Sequence, residues 1–153
     1  MDWEPWVHFA HVLASIVWVG GGLTLSVVGW RAHRSADLAV MRALAGMLFF
    51  LGIVIFAPAM VVVLLSGVWL VLDAAGDFTE LWIVLALTAF ALAFLLGAVY
   101  LSCTVLRLER LAESGDLAGT RAALGSWLTG YAVVVAILVF ALWDMVFKPS
   151  AGG

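Results

Sequence analysis

The sequence is poor in charged residues and in cysteine. Only 11% of its 153 residues are charged, and cysteine occurs once, at Cys103. A single cysteine excludes an intrachain disulfide and any zinc site built from cysteines. The few basic residues form no continuous basic face, which argues against a nucleic-acid-binding surface. The polar segments are also too short to form a separate soluble domain.

Hydrophobic residues, by contrast, make up 66% of the chain and are concentrated in four long runs. A helix needs roughly 20 apolar residues to cross the hydrocarbon core of a bilayer. Each run reaches that length, since the runs lie at about 5–30, 46–72, 80–106 and 124–147. The sequence therefore predicts an all-α polytopic membrane protein, with one four-helix transmembrane domain over residues 1–153 and the lipid bilayer as its main surroundings.

Basic residues are concentrated in two of the connections. Six of the seven Lys and Arg residues lie in segments 31–45 and 107–121, whereas Lys148 is the one basic residue outside them. Short loops rich in Lys and Arg stay in the cytoplasm. We therefore expect a multi-pass protein of the bacterial plasma (inner) membrane with both termini outside. The short connections also predict antiparallel neighbours, and hence an up-down bundle.

The start of the chain does not resemble a cleaved signal peptide. Such peptides begin with a basic segment and carry a short apolar stretch. Here Asp2 and Glu4 come first, and the apolar run that follows is longer than a signal peptide requires. We expect the first span to remain in the mature protein.

Small residues recur at helical spacing on several spans, and helices in lipid pack closely where such residues meet. Gly20, Gly21 and Gly22 are expected to allow close helix contact. Pro58 lies inside the second span, where it removes a helical hydrogen bond and predicts a kink or a local widening. A packing seam is predicted on the third span, formed by Ala86, Ala89, Ala93, Gly97, Tyr100 and Thr104. A shorter seam is predicted on the fourth span, formed by Gly125, Thr129, Ala132 and Ala136.

One face of the first span has the residue types of a binding site. At 3.6 residues per turn, its polar and aromatic members fall along one side of the helix, and a polar face in lipid turns toward the bundle interior. Imidazole is a good ligand for copper, zinc or haem iron. The candidate cofactor and metal ligands are therefore His11 and His8, with Asp144 as a further metal ligand and with Ser15 and Trp18 lining the pocket.

Several roles are open for these histidines. His8 and His11 cannot both ligate one haem, because axial ligands approach the iron from opposite faces. His33 lies roughly 33 Å from His11 along the same helix. A haem would need one histidine, a non-histidine ligand or a second subunit. Imidazole could instead relay protons or bind a quinone head group, because its pKa lies near neutral. In a purely structural role, His8 would lie among the head groups and His11 would hydrogen-bond a neighbouring helix.

Two classes of function follow. In the first, a small membrane protein binds haem or a metal ion such as copper near His11. In the second, a non-catalytic accessory or structural subunit packs against a larger membrane complex or a second copy of itself. Ser66 and the other hydroxyl residues have no base at catalytic spacing, and no nucleotide-binding glycine loop is present. The sequence thus gives no indication of an enzyme.

Several segments together resemble a known bacterial family of predicted integral membrane proteins of unknown function. They are the basic first loop and the stretches His11-Val-Leu-Ala-Ser-Ile-Val-Trp18-Val-Gly-Gly, Ser66-Gly67-Val-Trp69-Leu-Val-Leu and Met145-Val-Phe-Lys148-Pro149. The chain is also similar to the broader CopD-like group. That group includes copper-handling membrane proteins and a four-helix protoporphyrinogen oxidase in which a membrane histidine serves haem. The resemblance implies His11 as the haem position, although the chain offers no second buried histidine and no buried lysine.

Overall fold

The computed structural model describes residues 2–74 and 76–149, which form four antiparallel helices with no strand among them. The helices are α1 (Glu4–Ser35), α2 (Leu38–Asp73), α3 (Leu81–Glu113) and α4 (Leu117–Phe147), and each is long and apolar enough to cross a membrane. The predicted all-α four-helix membrane fold is confirmed. We call the end where α1 begins and α4 ends the termini end, and the opposite end the loop end.

At the loop end, each helix extends beyond the apolar run that predicts it. The links there comprise only residues 36–37 and 114–116. Aspartates begin both of the following helices, because the Asp37 and Asp116 carboxylates accept backbone N–H groups of the first turn. Met41, in the first turn of α2, is fully buried. The segments flanking these links are therefore packed helix, although their composition is more polar than that of the spans.

The helices do not pack equally along their lengths. α1 packs against α2 and α4, and α3 packs against α4. α2 and α3 meet toward the loop end, through Leu38–Leu51 and Ser102–Glu113. Within the part of the chain that the structure describes, no comparable packing joins Ala57–Asp73 to Leu81–Leu95. The bundle is consequently closed at the loop end and opens between α2 and α3 toward the termini end.

A π-helical segment interrupts each of these two helices where they separate. The segments are Gly52–Phe56 in α2 and Leu96–Leu101 in α3, and both help to line one mid-bundle cavity of about 360 Å³. Pro58 follows the first segment by two residues. A π-helical turn widens the helix, and such turns are frequent at functional sites. The sequence predicts a kink or a local widening of the bundle near Pro58, and the structure has a π-helical distortion of the helix just before it.

The glycines of α1 let aromatic side chains approach its backbone. A methyl group on Gly22 would overlap the hydroxyl of Tyr131, and that hydroxyl donates to the Trp18 carbonyl at 3.4 Å. A methyl group on Gly21 would lie 3.1 Å from the Phe56 ring. The close contact predicted for the three glycines is confirmed at Gly21 and Gly22. It is wrong at Gly20, because nothing lies within 4 Å of a methyl group placed there.

The two predicted seams differ in outcome. On α3, Ala86, Ala89 and Ala93 are buried, so this part of the seam is confirmed. On α4, the predicted seam is wrong for Thr129, Ala132 and Ala136, which are exposed. The reason is that α4 turns larger side chains inward, where they fill the interior, among them Trp127, Tyr131, Val134 and Leu138.

Candidate functional site

His11 and Ser66 meet across the interface between α1 and α2. Position 11 is seven residues after α1 begins, and position 66 is seven residues before α2 ends, so both lie about 10 Å from the termini end. The His11 Nδ1 atom is 2.9 Å from the Ser66 Oγ atom. Gly67 leaves room for the ring, because a methyl group there would lie 3.2 Å from His11 Cε1. The hydrogen bond to a neighbouring helix that a structural role for His11 predicts is therefore confirmed.

The Ser66 hydroxyl has more than one hydrogen-bond partner. Its Oγ atom lies within hydrogen-bond distance of the Val62 and Val63 carbonyls and of His11 Nδ1. The direction of the contact with His11 depends on the tautomer of the imidazole. In the tautomer with the proton on Nδ1, Ser66 accepts that proton, and Nε2 keeps a lone pair that can ligate a metal.

Two adjoining cavities surround this imidazole, and we refer to them together as the histidine cavity. Their volumes are about 530 Å³ and 370 Å³. They exist because α2 and α3 separate toward the termini end, leaving space that α1 and α4 only partly fill. The walls are mainly apolar, and both parts share His8, His11, Val63, Ala86, Phe90 and Met145.

Four of the predicted site residues come together there. His8, His11, Ser15 and Trp18 all line the larger part of the histidine cavity. His8 is exposed, His11 and Ser15 are half-buried, and Trp18 is only 5% exposed. The face therefore runs from the surface at His8 into the interior at Trp18, whose ring packs edge-on against Phe90 at a centroid distance of 5.7 Å.

Asp144 lies apart from these four residues. Its side chain is fully buried, yet it is not among the residues that line either part of the histidine cavity. Neither carboxylate oxygen has a hydrogen-bond partner among the described residues. Within residues 2–74 and 76–149, no three His, Cys, Asp or Glu side chains form a group that could hold a metal ion.

Ser66 is missing from the predicted site residues. No base lies near Ser66 in the sequence, because its partner His11 is 55 positions away. One signal was present: in antiparallel helices, residues at equal distance from the same end lie at the same depth, and Ser66 and His11 satisfy that condition. The adjacent Gly67 is the residue type that allows an imidazole to approach the backbone.

Lys148 lies at the mouth of the histidine cavity. It caps the end of α4 with a left-handed backbone, at φ 44° and ψ 61°, and its side chain lines the same part of the cavity as Glu4 and His11. The Nζ atom lies 4.9 Å from the centroid of the Trp82 ring on α3. The indole N–H of Trp82 donates to Glu80 at 2.6 Å. Lys148 therefore reaches from the end of α4 to the start of α3 at the termini end.

Four spanning helices around an interhelical cavity define a polytopic integral membrane protein with a candidate ligand-binding histidine. The chain belongs to the family described as predicted integral membrane protein (DUF2269), whose sequence model matches residues 5–149. No curated protein and no solved structure matches the chain. Because the family description names no activity, function has to be argued from the residues of the site.

Proposed function

We propose that this membrane protein binds haem, with His11 as an axial ligand. One observation carries the proposal: the Nδ1 atom of His11 contacts the Ser66 hydroxyl, and the same residue lines a large apolar cavity. Histidines that ligate metals almost always donate their other ring N–H to a nearby acceptor, which fixes the ring and its tautomer. Ser66 would be such an acceptor, and Nε2 would then ligate the iron.

The set of donor atoms favours haem over a bare metal ion. A copper or zinc ion takes most of its ligands from protein side chains, commonly three or four. The described residues contain no such group, and Asp144 does not line the cavity. The porphyrin already supplies four nitrogens to its iron, so haem needs only an axial ligand and apolar walls. His11, Val63, Ala86 and Phe90 provide both.

Each residue of the site would have a distinct task. His11 would bind the iron, Ser66 would orient the imidazole, and Phe90 with its apolar neighbours would exclude water. His8, exposed one turn nearer the surface, would help to close the mouth and could be replaced there by a water molecule. Haem, when bound, supplies a redox-active iron, and solvent exclusion by the apolar walls would tune its potential.

The resemblance of the sequence segments around His11 and Ser66 to the CopD-like group is in keeping with this proposal, because a membrane histidine serves haem in one branch of that group. His8 also lines the cavity, but it lies one turn from His11 on the same face of α1, so the two imidazoles cannot approach one iron from opposite sides. We therefore propose a haem held by one protein imidazole, that of His11. We do not extend the proposal to the oxidase activity, since its pattern includes residues that this chain lacks.

We also propose that the termini end faces the outside of a bacterial plasma membrane. The arginines of segments 31–45 and 107–121 lie toward the loop end, where Arg42 approaches Glu113 to 3.9 Å. By the positive-inside rule, that end stays in the cytoplasm. His11 would then lie about 10 Å below the outer end of α1. A haem there would be closer to partners outside the cell than to the cytoplasm.

A second candidate function is that of a subunit in a homo-oligomer or larger membrane complex. The observation in its favour is the exposed small-residue face of α4, formed by Thr129, Ala132 and Ala136. Small residues at such spacing let a second helix approach closely in lipid. Substitution of Ala132 by Leu should then abolish association, as measured by the mass of the particle in mild detergent. An unchanged mass would contradict this role.

The direct test of the haem proposal is an absorption spectrum of the protein purified from haem-supplied cells, with metal analysis of the same sample. A Soret band and about one iron per chain support haem. A stoichiometric metal without a Soret band would favour an ion instead. A colourless, metal-free protein that copurifies with other membrane subunits would favour the accessory role.

A further inference from the structure

We propose that Lys148 binds a carboxylate group of haem at the mouth of the histidine cavity. This inference rests on the proposed haem function and adds an orientation to it. His11 would hold the iron, and Lys148 would hold a carboxylate of the same ligand at the termini end of the cavity.

The backbone of Lys148 is the first observation. A left-handed residue at the end of a helix is usually glycine or asparagine, because other side chains are disfavoured there. Lys148 adopts this conformation and is followed directly by Pro149, which restricts it further. Ala36 ends α1 with a similar backbone, at φ 52°, so this conformation fixes where α4 ends but does not by itself indicate a function of Lys148.

The position of the ammonium group is the second observation. Lys148 lines the same part of the histidine cavity as His11, and its Nζ atom lies over the Trp82 ring. Trp82 also lines that part of the cavity. The stacked indole holds the cation between the end of α4 and the start of α3, while the ammonium hydrogens stay available to an anion. A cation at the mouth and a metal-binding nitrogen at depth match a ligand that has a metal centre and an acidic edge.

The neighbouring acidic groups leave this cation without an ion pair. Glu4 lines the same cavity, and Glu80 accepts the indole N–H of Trp82. Among the described residues, the one ion pair within 4.0 Å joins Arg42 to Glu113 at the loop end, so neither acid neutralises Lys148. Glu4 would repel a carboxylate, and its replacement by Gln is therefore expected to strengthen haem binding slightly.

The test compares haemin with haemin dimethyl ester, which keeps the iron and the ring but lacks both carboxylates. Each is titrated into the detergent-solubilised protein and followed by the Soret band. Lys148→Gly removes the cation at a position where glycine suits the backbone, and Lys148→Arg keeps the cation. We expect Lys148→Gly to weaken haemin binding about tenfold, as for loss of one charge-assisted hydrogen bond, while binding of the ester is unchanged. Lys148→Arg should bind both ligands as the wild type does.

Two results would overturn the role of Lys148. One is equal haemin affinity in the wild type and in Lys148→Gly. The other is an equal loss of haemin and ester binding, which would indicate a structural effect of the substitution. A His11→Ala variant separates this inference from the proposed function. If His11→Ala removes binding of both ligands while Lys148→Gly changes neither, haem binding stands and the carboxylate contact fails. If the wild type binds neither ligand, both proposals fail.

Discussion

The Ser66 hydroxyl lies 2.9 Å from the His11 imidazole, at the same depth in the bundle and on the neighbouring helix. The Ser66 Oγ atom also lies against the Val62 carbonyl, which can take the hydroxyl proton and leave the oxygen to accept from His11. In the proposed site, Ser66 would orient the ring.

Substitution of Ser66 by Ala should weaken haem binding without abolishing it. The imidazole would lose the acceptor that fixes its tautomer, and loss of such a partner typically lowers metal affinity by about 10- to 100-fold. Spectral titration with haemin measures the change. Ser126→Ala is the matched control, since Ser126 also donates to a carbonyl four residues earlier but is exposed and distant in sequence from the site. If the two variants bind haemin equally well, the orienting role of Ser66 is refuted.

Gly22 and Gly20, two residues apart on α1, test the packing of α1 against α4. Gly22→Ala should destabilise the protein by about 1–3 kcal/mol, because its methyl group would overlap the Tyr131 hydroxyl. Gly20→Ala should be neutral or stabilise by up to about 1 kcal/mol, since nothing lies near that position and alanine favours the helix. Thermal unfolding in detergent compares the two. Equal melting temperatures would contradict the close contact of Gly22 with Tyr131.

Replacement of the buried carboxyl of Asp144 is predicted to stabilise the protein, in contrast to Gly22→Ala. An unpartnered buried polar group costs about 1–3 kcal/mol, so Asp144→Leu should raise the free energy of unfolding by an amount of that order. Haem binding should persist, because Asp144 does not line the histidine cavity. Asp73→Leu is the control, since this exposed residue should change stability by less than about 0.5 kcal/mol. Loss of the cofactor in Asp144→Leu would instead make Asp144 a ligand.

Labelling of single cysteines tests the proposed orientation. In a Cys103→Ser background, a cysteine replacing Thr79 should react with an impermeant reagent added to intact cells, and one replacing Ser114 should react only after the cells are opened. Both positions are exposed, and they lie at opposite ends of the bundle. The reverse pattern would place both termini in the cytoplasm.

The sequence was sufficient to predict the four helices, because the length and the polarity of a membrane span are both properties of a continuous segment. It also predicted the face that carries His11 and Trp18, since positions on one helix follow from its periodicity. It could not predict Ser66 or Lys148 as neighbours of that face, because those contacts depend on which helices are adjacent. The fourth-span seam failed for a related reason. Small residues mark a face that permits close packing, but the larger side chains near Tyr131 fill the interior.

The separation of α2 and α3 is a second feature that composition does not reveal. Both helices are uniformly apolar near their π-helical segments, so no change in polarity marks the place where they part. The cavity that results depends on side-chain volumes across several helices. Pro58 was the one local sequence feature near this place. It indicated a distortion of α2 but not the separation of α2 from α3.

The central claim is that His11 ligates haem, and histidine variants test it most directly. Wild type, His11→Ala, His8→Ala and His33→Ala are purified from haem-supplied cells, and the Soret absorbance per chain is compared with the melting temperature. We predict that His11→Ala loses the Soret band, that His8→Ala keeps part of it, and that His33→Ala, near the loop end, keeps it in full. If His11 is purely structural, its replacement should cost only about 0.6 kcal/mol of stability, for one interhelical hydrogen bond. A wild-type protein without a Soret band, or a full band in His11→Ala, would contradict the claim.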